Sequence, residues 1–366
     1  MLSDPALGGW NLGAQHTYDL NSKKLHRGDG RRRGVQEPSG PVLNTVAGGL
    51  GLFLLPQAVA VAPDGSFYVA DSGNHRIRKV EPDGTIRTVA GTGVAGFSGD
   101  DASALAAQLN DPIDIALGSD GSLYIADRGN HRIRKVGPDG IITTVAGNGI
   151  DGFGGDDGLA IDAQLAPQAL AIAPDRSIYI ADTPNHRIRR VGPDGFIHTV
   201  AGTGITGFSG DNAPALAAQL GAPVDVALGP DGSLYIADTG NHRIRKVGLD
   251  GVIRTVAGNG SAGATVEGSL ATTTPIGTPF GVTVGADGAV YFTNKHEYFI
   301  NAHLTNNHAV YRIGAEGILT RVAGNTPGFS GDLGPATHAQ FQDVRGLALA
   351  PDGGLYIADS GNFRIR

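Results

Sequence analysis

The chain has 366 residues, with 28 Lys plus Arg against 35 Asp plus Glu, and a formal charge of −7 leaves no basic footprint for nucleic acid or an anionic membrane. Gly fills 58 positions, aromatics make up 6% and Cys is absent, which excludes a disulfide framework and thiolate metal sites and suits short strands joined by tight turns rather than a helical bundle. No apolar run approaches the ~18 residues of a bilayer span, and the start MLSDPALGGWNLGAQ lacks a basic n-region and an apolar core, so any export signal is expected outside this chain.

In chain order, residues 1–40 read as an N-terminal β segment and linker packing beside a main body at 41–366. At Val42–Gly48 stands VLNTVAG, a strand-like run with no hairpin partner beside it. The apolar run PQAVAV follows, and then FYVAD, ending at Asp71. From here one unit recurs. Its second strand ends at Asp71, Asp127, Asp182, Asp238, Asn294 and Asp359, at successive spacings of 56, 55, 56, 56 and 65. A period near 55 with four strand-like runs per unit is the pattern of propeller blades, each too small to bury its faces without neighbours.

The second unit shows the build. PIDIALG is followed by the turn SDGS, LYIAD by RGN, HRIRKV by GPDG, and IITTVAG closes the unit. The Asp-Gly pairs supply the positive φ angles that tight hairpins need. Between units run long excursions such as GTGVAGFSGDDASALAAQLNDP, where Asp before an Ala/Leu-rich stretch predicts an N-capped turn or two of helix. The last unit stops at Arg366 after three strands, and the orphan run at Val42–Gly48 supplies the fourth, leaving no exposed edge. The expected fold is all-β: a six-bladed propeller of four-stranded antiparallel blades, closed in its last blade by the N-terminal strand. The blades fall at about 56–90, 112–146, 167–201, 223–257, 279–323, and 344–366 with 42–48.

The unit YIADxxNHRIRKV, with its PDG turns and the TVAGxGxxGFSGD linker, resembles the NHL repeat from about Val42 to Arg366. The preceding GGWNLGAQHTYDLNSKKLHRGDG, Gly8–Gly30, is similar to the segment that leads into the NHL domain of teneurins and bacterial YD-repeat (Rhs-like) proteins. This resemblance implies a large secreted or cell-surface protein in which the propeller is appended to a YD-repeat shell and serves adhesion, recognition or plugging. No YD repeat is present in these 366 residues.

Four features invite a chemical reading. The triplets Asn74-His75-Arg76, Asn130-His131-Arg132, Asn185-His186-Arg187 and Asn241-His242-Arg243 suggest a metal or catalytic group, but one per blade keeps them apart. They are read as scaffold, the preceding Asp accepting N–H bonds in the turn and the Asn adopting the left-handed conformation. The acidic pairs Asp100-Asp101 and Asp156-Asp157 lack calcium-loop spacing and are read as helix caps, with Ca²⁺ or another divalent cation as the alternative and no cofactor otherwise expected.

The third feature is the mouth of the central channel, where inner strands begin. Gln57, Asp114, Gln168, Asp225 and Arg345 are expected to converge there, and neighbouring carboxylates bind cations or raise each other's pKa. Solvated side chains or ion pairs closing a water-filled channel are the plainer reading. The fourth is unit five, where Lys295–Asn306 replaces the short turn with a loop-like insertion carrying His296, Glu297, Tyr298, Phe299 and His303 beside His308. Zinc, an interaction loop and plain structural variation all remain open there, with exposed aromatics favouring protein contact.

Two functions follow. The first is a non-enzymatic recognition module that binds a protein or a carbohydrate on one face, without nucleic acid or membrane insertion. The second is a lyase or lactonase-like hydrolase with a metal at the channel mouth, as some six-bladed propellers carry.

Overall fold

The structure, a computed structural model, describes residues 18–19, 24–25, 40–49, 51–300 and 303–366. The chain divides into two units, Met1–Pro38 and Ser39–Arg366. In the first, Tyr18–Asp19 pairs antiparallel with Lys24–Leu25, and the rest of the Gly8–Gly30 segment lies outside the described residues.

The second unit is a ring of six antiparallel blades. Blade 2 is typical: Pro112–Leu117 lies innermost, followed outward by Leu123–Asp127, Arg132–Val136 and Ile141–Ala146. Inner strands of the other blades are Pro56–Val61, Pro167–Ile172, Pro223–Leu228, Thr278–Val284 and Val344–Leu349, and each packs on the next, the sixth returning to the first. A register shift interrupts every inner strand one or two residues in, as between Pro112 and Asp114. That bulge turns the strand's first residues toward the channel.

The apolar core lies between blades. Ala70, Ile77 and Ala90 of blade 1 pack with Ile115, Ile125 and Ile142 of blade 2 in one buried cluster. The residues facing a neighbour across this gap are small or β-branched, which lets two pleated faces approach closely.

Ala47–Gly48 completes blade 6, pairing Gly48 with Arg364 and Ala47 with Ile365. Gly48 is required there: its φ is +109°, and a Cβ would come within 2.5 Å of the Phe363 carbonyl. Val42–Leu43 also pairs with Gly334–Pro335 of the sixth linker. The ring thus closes with a strand from the start of the unit.

Two expectations change. The Ala-rich linker stretches form one 3-10 turn each, such as Ala104–Ala106, without any side-chain cap. Each turn is bounded by bridges to the blade's outer strand, which leaves no room for a helix; Ala102–Ser103 pairs with Ile141 and Ile142. The insertion of blade 5 is a β-hairpin rather than a loop. Val290–Ile300 pairs with His303–Ile313 over their whole length, from Val290 opposite Ile313 to Ile300 opposite His303.

Candidate functional site

The repeat's conspicuous polar residues spend their bonds inside the ring. In blade 2, Arg134 on the third strand is fully buried. Its Nε and Nη2 donate to Asp100 Oδ1 at 3.1 and 2.7 Å, its Nη2 also to the Ser98 carbonyl, and its Nη1 to Asp127 Oδ2 at 3.4 Å. Thr144 donates to the other Asp100 oxygen at 2.7 Å. Phe97 of the same linker lies under two arginines, 3.7 Å from Arg132 and 4.9 Å from Arg134. The linker motif GFSGD is therefore a lid with two teeth, an aromatic ring and a carboxylate, closing on the arginines of the blade it leads into.

Blade 3 repeats the clamp with Phe153, Asp156 and Arg189, blade 4 with Phe208, Asp211 and Arg245, and blade 6 with Phe329, Asp332 and Arg366. In blade 6 the closing strand takes part, Thr45 donating to Asp332 Oδ2 at 2.7 Å. Asp100 and Asp156 are thus counterions of buried arginines and not helix caps, which corrects the expectation from their local sequence.

The Asn-His-Arg triplets are scaffold by a different route from the one expected. The left-handed residue is the histidine: His75, His131, His186 and His242 have φ between 51° and 53°. The asparagine donates back to the aspartate, Asn130 Nδ2 to Asp127 Oδ2 at 2.7 Å, and also to the linker carbonyl of Gly96. That aspartate accepts its backbone bond from Asn110, just ahead of the inner strand, and not from the following turn. His75 and His186 each accept an N–H from the next blade, at Asp111 and Ala222. Burial raises Asp127, Asp238 and Asp359 to about 6 despite these donors.

At the channel, Gln57, Asp114, Gln168, Asp225 and Arg345 line one cavity with Phe280 and Gly281. Its volume is about 40 Å³, room for water or a monatomic ion and for little more. Asp114 accepts the N–H of Leu170 in blade 3 at 2.7 Å, and Asp225 that of Val282 in blade 5 at 2.7 Å and of Val226 at 2.8 Å. Each carboxylate therefore staples its inner strand to the next one.

Both are half-buried, their open surface facing the confined channel rather than bulk solvent. Desolvation pushes Asp114 up to about 7. It raises Asp225 well above its ordinary value too, with repulsion from Asp114 as the second cause. Arg345 does not neutralise them; it donates to Asp343 at 2.9 and 3.0 Å and lies 4.6 Å from the Phe280 ring. Gln168 accepts from Arg128 at 3.5 Å. Blades 5 and 6 have Gly281 and Gly346 where blades 2 and 4 have Asp, because a Cβ there would strike the next inner strand's backbone, at Arg345 and Gln57. Thr293 fills the stapling role in blade 5, accepting from the Gly281 N–H at 2.6 Å and donating to the Arg345 carbonyl at 3.0 Å. The alanine-to-threonine change in YFTN was the available signal for it.

Blade 5 also departs from the clamp, and consistently. Across from Phe292 stands Tyr311 where Arg245 stands across from Ile236, and Ala309 replaces the first arginine. The incoming linker, GSAGATVEGSLATTTP, lacks the Phe and the Asp, and Asn294 replaces the strand-ending Asp. The ladder places His296, Tyr298 and His303 at positions of one hairpin face and Glu297 and Phe299 at those of the other. The five candidates are thus divided between faces. His308 belongs to the repeat: its Nδ1 accepts the Asp343 N–H at 2.9 Å, as His75 does for Asp111. Among the described residues no three His, Cys, Asp or Glu side chains group as a metal site.

A family model described as NHL repeat matches residues 53–80, 109–136, 220–247 and 341–366, in blades 1, 2, 4 and 6. The chain is similar to Teneurin-m of Drosophila melanogaster, 29% identical over 409 residues, a match covering 100% of this chain and 14% of that relative. Among solved structures, a gluconolactonase of Xanthomonas campestris shares the fold with a TM-score of 0.55 at 16% identity, covering 88% of this chain and 87% of that one. A virginiamycin B lyase of Staphylococcus aureus aligns with a TM-score of 0.50 at 15% identity, covering 87% and 96%. At such identities the likeness to both enzymes is one of fold.

Proposed function

We propose that this NHL-repeat propeller, similar to teneurins along its whole length, is a non-enzymatic recognition and scaffold module of a larger teneurin-like or YD-repeat protein. One observation carries the reading. The recurring His, Arg and Asp side chains are engaged inside the ring, while blade 5 alone loses the receiving arginines of the clamp and gains a hairpin. Lost chemistry in a repeat that otherwise keeps it fits a surface given over to contact.

Replacing Lys295–Asn306 by Ser-Gly restores the short turn ahead of Asn307 and His308. The expected result is loss of partner capture at an unchanged melting temperature, followed by surface plasmon resonance. Capture that survives the replacement removes the hairpin from the binding surface. The same reading places the module in a secreted or cell-surface protein, where it packs on a YD-repeat shell. Sequencing the complete gene checks this, with YD repeats in the same reading frame expected.

A second reading, a lyase or lactonase-like hydrolase with a divalent cation at the channel, is favoured by Asp114 and Asp225 lining one cavity. The donor set fits poorly, since both carboxylates already accept backbone N–H groups and, among the described residues, no third acidic or histidine ligand joins them. Less than stoichiometric metal in protein purified without chelator would remove this reading.

A further inference from the structure

In blades 2, 3, 4 and 6 the incoming linker lays a phenylalanine over the third-strand arginines and brings a carboxylate to the buried guanidinium. Blade 1 keeps the receiving half of this arrangement, with Asp71, Asn74, Arg76 and Arg78 at the matching positions. Its incoming chain differs. It arrives through the closing strand of blade 6, and residues 49–55 contain no acidic residue.

Three consequences are visible among the described residues. The Arg78 side chain is 18% exposed, whereas those of Arg134, Arg189 and Arg245 are 0% exposed. Arg78 Nη1 reaches only the Leu52 carbonyl at 3.4 Å and Asp71 at 3.5 Å, whereas Arg134, Arg189 and Arg245 each also hold a linker carboxylate at 2.6–2.7 Å. Asn74 donates only to Asp71, whereas Asn130, Asn185, Asn241 and Asn362 also donate to a linker carbonyl. Leu52, Leu54 and Leu55, 43–48% exposed, rim this place.

We propose that blade 1 is a docking cradle for a partner polypeptide carrying an aromatic residue followed three residues later by Asp. The molecule states the required chemistry itself: Phe97 and Asp100, Phe153 and Asp156, Phe208 and Asp211, and Phe329 and Asp332 all keep that spacing. Stacking on one guanidinium and a charge-assisted pair with the other suit a partner that is acidic and aromatic at once. No aromatic residue among residues 1–40 has an acidic residue three positions on, so that segment does not supply the motif. The cradle is on blade 1 and the hairpin on blade 5, so the two readings stand or fall separately.

The test is a labelled peptide of this chain's own linker, Gly93–Ser103, titrated by fluorescence anisotropy against the intact 366-residue protein. Saturable binding is expected, weakened about tenfold or more by Phe97→Ala or Asp100→Asn in the peptide. Arg78→Lys in the protein should weaken the native peptide and abolish the difference between it and the Asp100→Asn form. Absence of binding at millimolar peptide, as when the chain's own N-terminal segment fills the cradle, overturns the proposal. So does binding that is indifferent to all three substitutions.

Discussion

A guanidinium with no solvent exposure is costly to bury unless its N–H groups meet acceptors. Arg245 meets Asp211, Asp238 and the carbonyls of Ser209 and Gln219 through its two terminal nitrogens. Removing one partner should be far worse than never having had the pair. Asp211→Ala is expected to destabilise the ring by about 3 kcal/mol, measured by denaturant unfolding. The equivalent site in blade 5 holds Tyr311, opposite Phe292, in place of the arginine. The channel carboxylates give a second prediction at this scale. Asp114 is raised in the folded state to about 7 from an ordinary 3.8, so the stability linked to its protonated form is full below the ordinary value and fades as pH climbs through 7. Asn at this position keeps an oxygen for the Leu170 N–H and cannot ionise. Asp114→Asn should therefore lose less melting temperature than the parent between pH 5 and 8.5, a gain of roughly 1–2 kcal/mol at the upper end after allowance for channel water. A variant that tracks the parent at every pH would show that Asp114 titrates normally.

The second scale is the blade with its linker. Gly48→Val forces a β-branched side chain into positive φ against the Phe363 carbonyl, and should open the last blade first. Native-state hydrogen exchange is expected to rise at Ile357 and Ile365 while Ile180 in blade 3 stays protected. At this scale the local pattern read well, because turn residues and alternation are near-neighbour effects. The strands, their order and the closing run at Ala47–Gly48 all follow from period and turn chemistry. The channel-lining residues could be placed because one register sets all six inner strands. The clamp did not read. Asp100 and Arg134 lie 34 residues apart, and a cap is the local explanation for an acid ahead of Ala-rich sequence. The usable signal was the joint loss of Phe, Asp and both arginines from unit five. The hairpin was misread because KHEYFINAHLTN has no Gly or Pro turn and no clean alternation; it pairs because it prolongs two strands already in register.

At the scale of the whole molecule, closure couples the two ends. Ser360 of blade 6 donates to the Pro56 carbonyl of blade 1, a contact 304 residues long in sequence. Thr45, made early, completes the acid cluster around Arg366, the final residue of the sequence. A ring sealed this way has a timetable. At about 5–20 residues per second of synthesis, the strand holding Ala47 and Gly48 waits some 15–60 s for its partner to leave the ribosome. Through that interval five blades form an arc with an uncovered inner face at each end. The late arrival of Arg364–Arg366 thus sets when the nascent chain stops being sticky, and a chaperone holding the arc is expected to release it only after that moment.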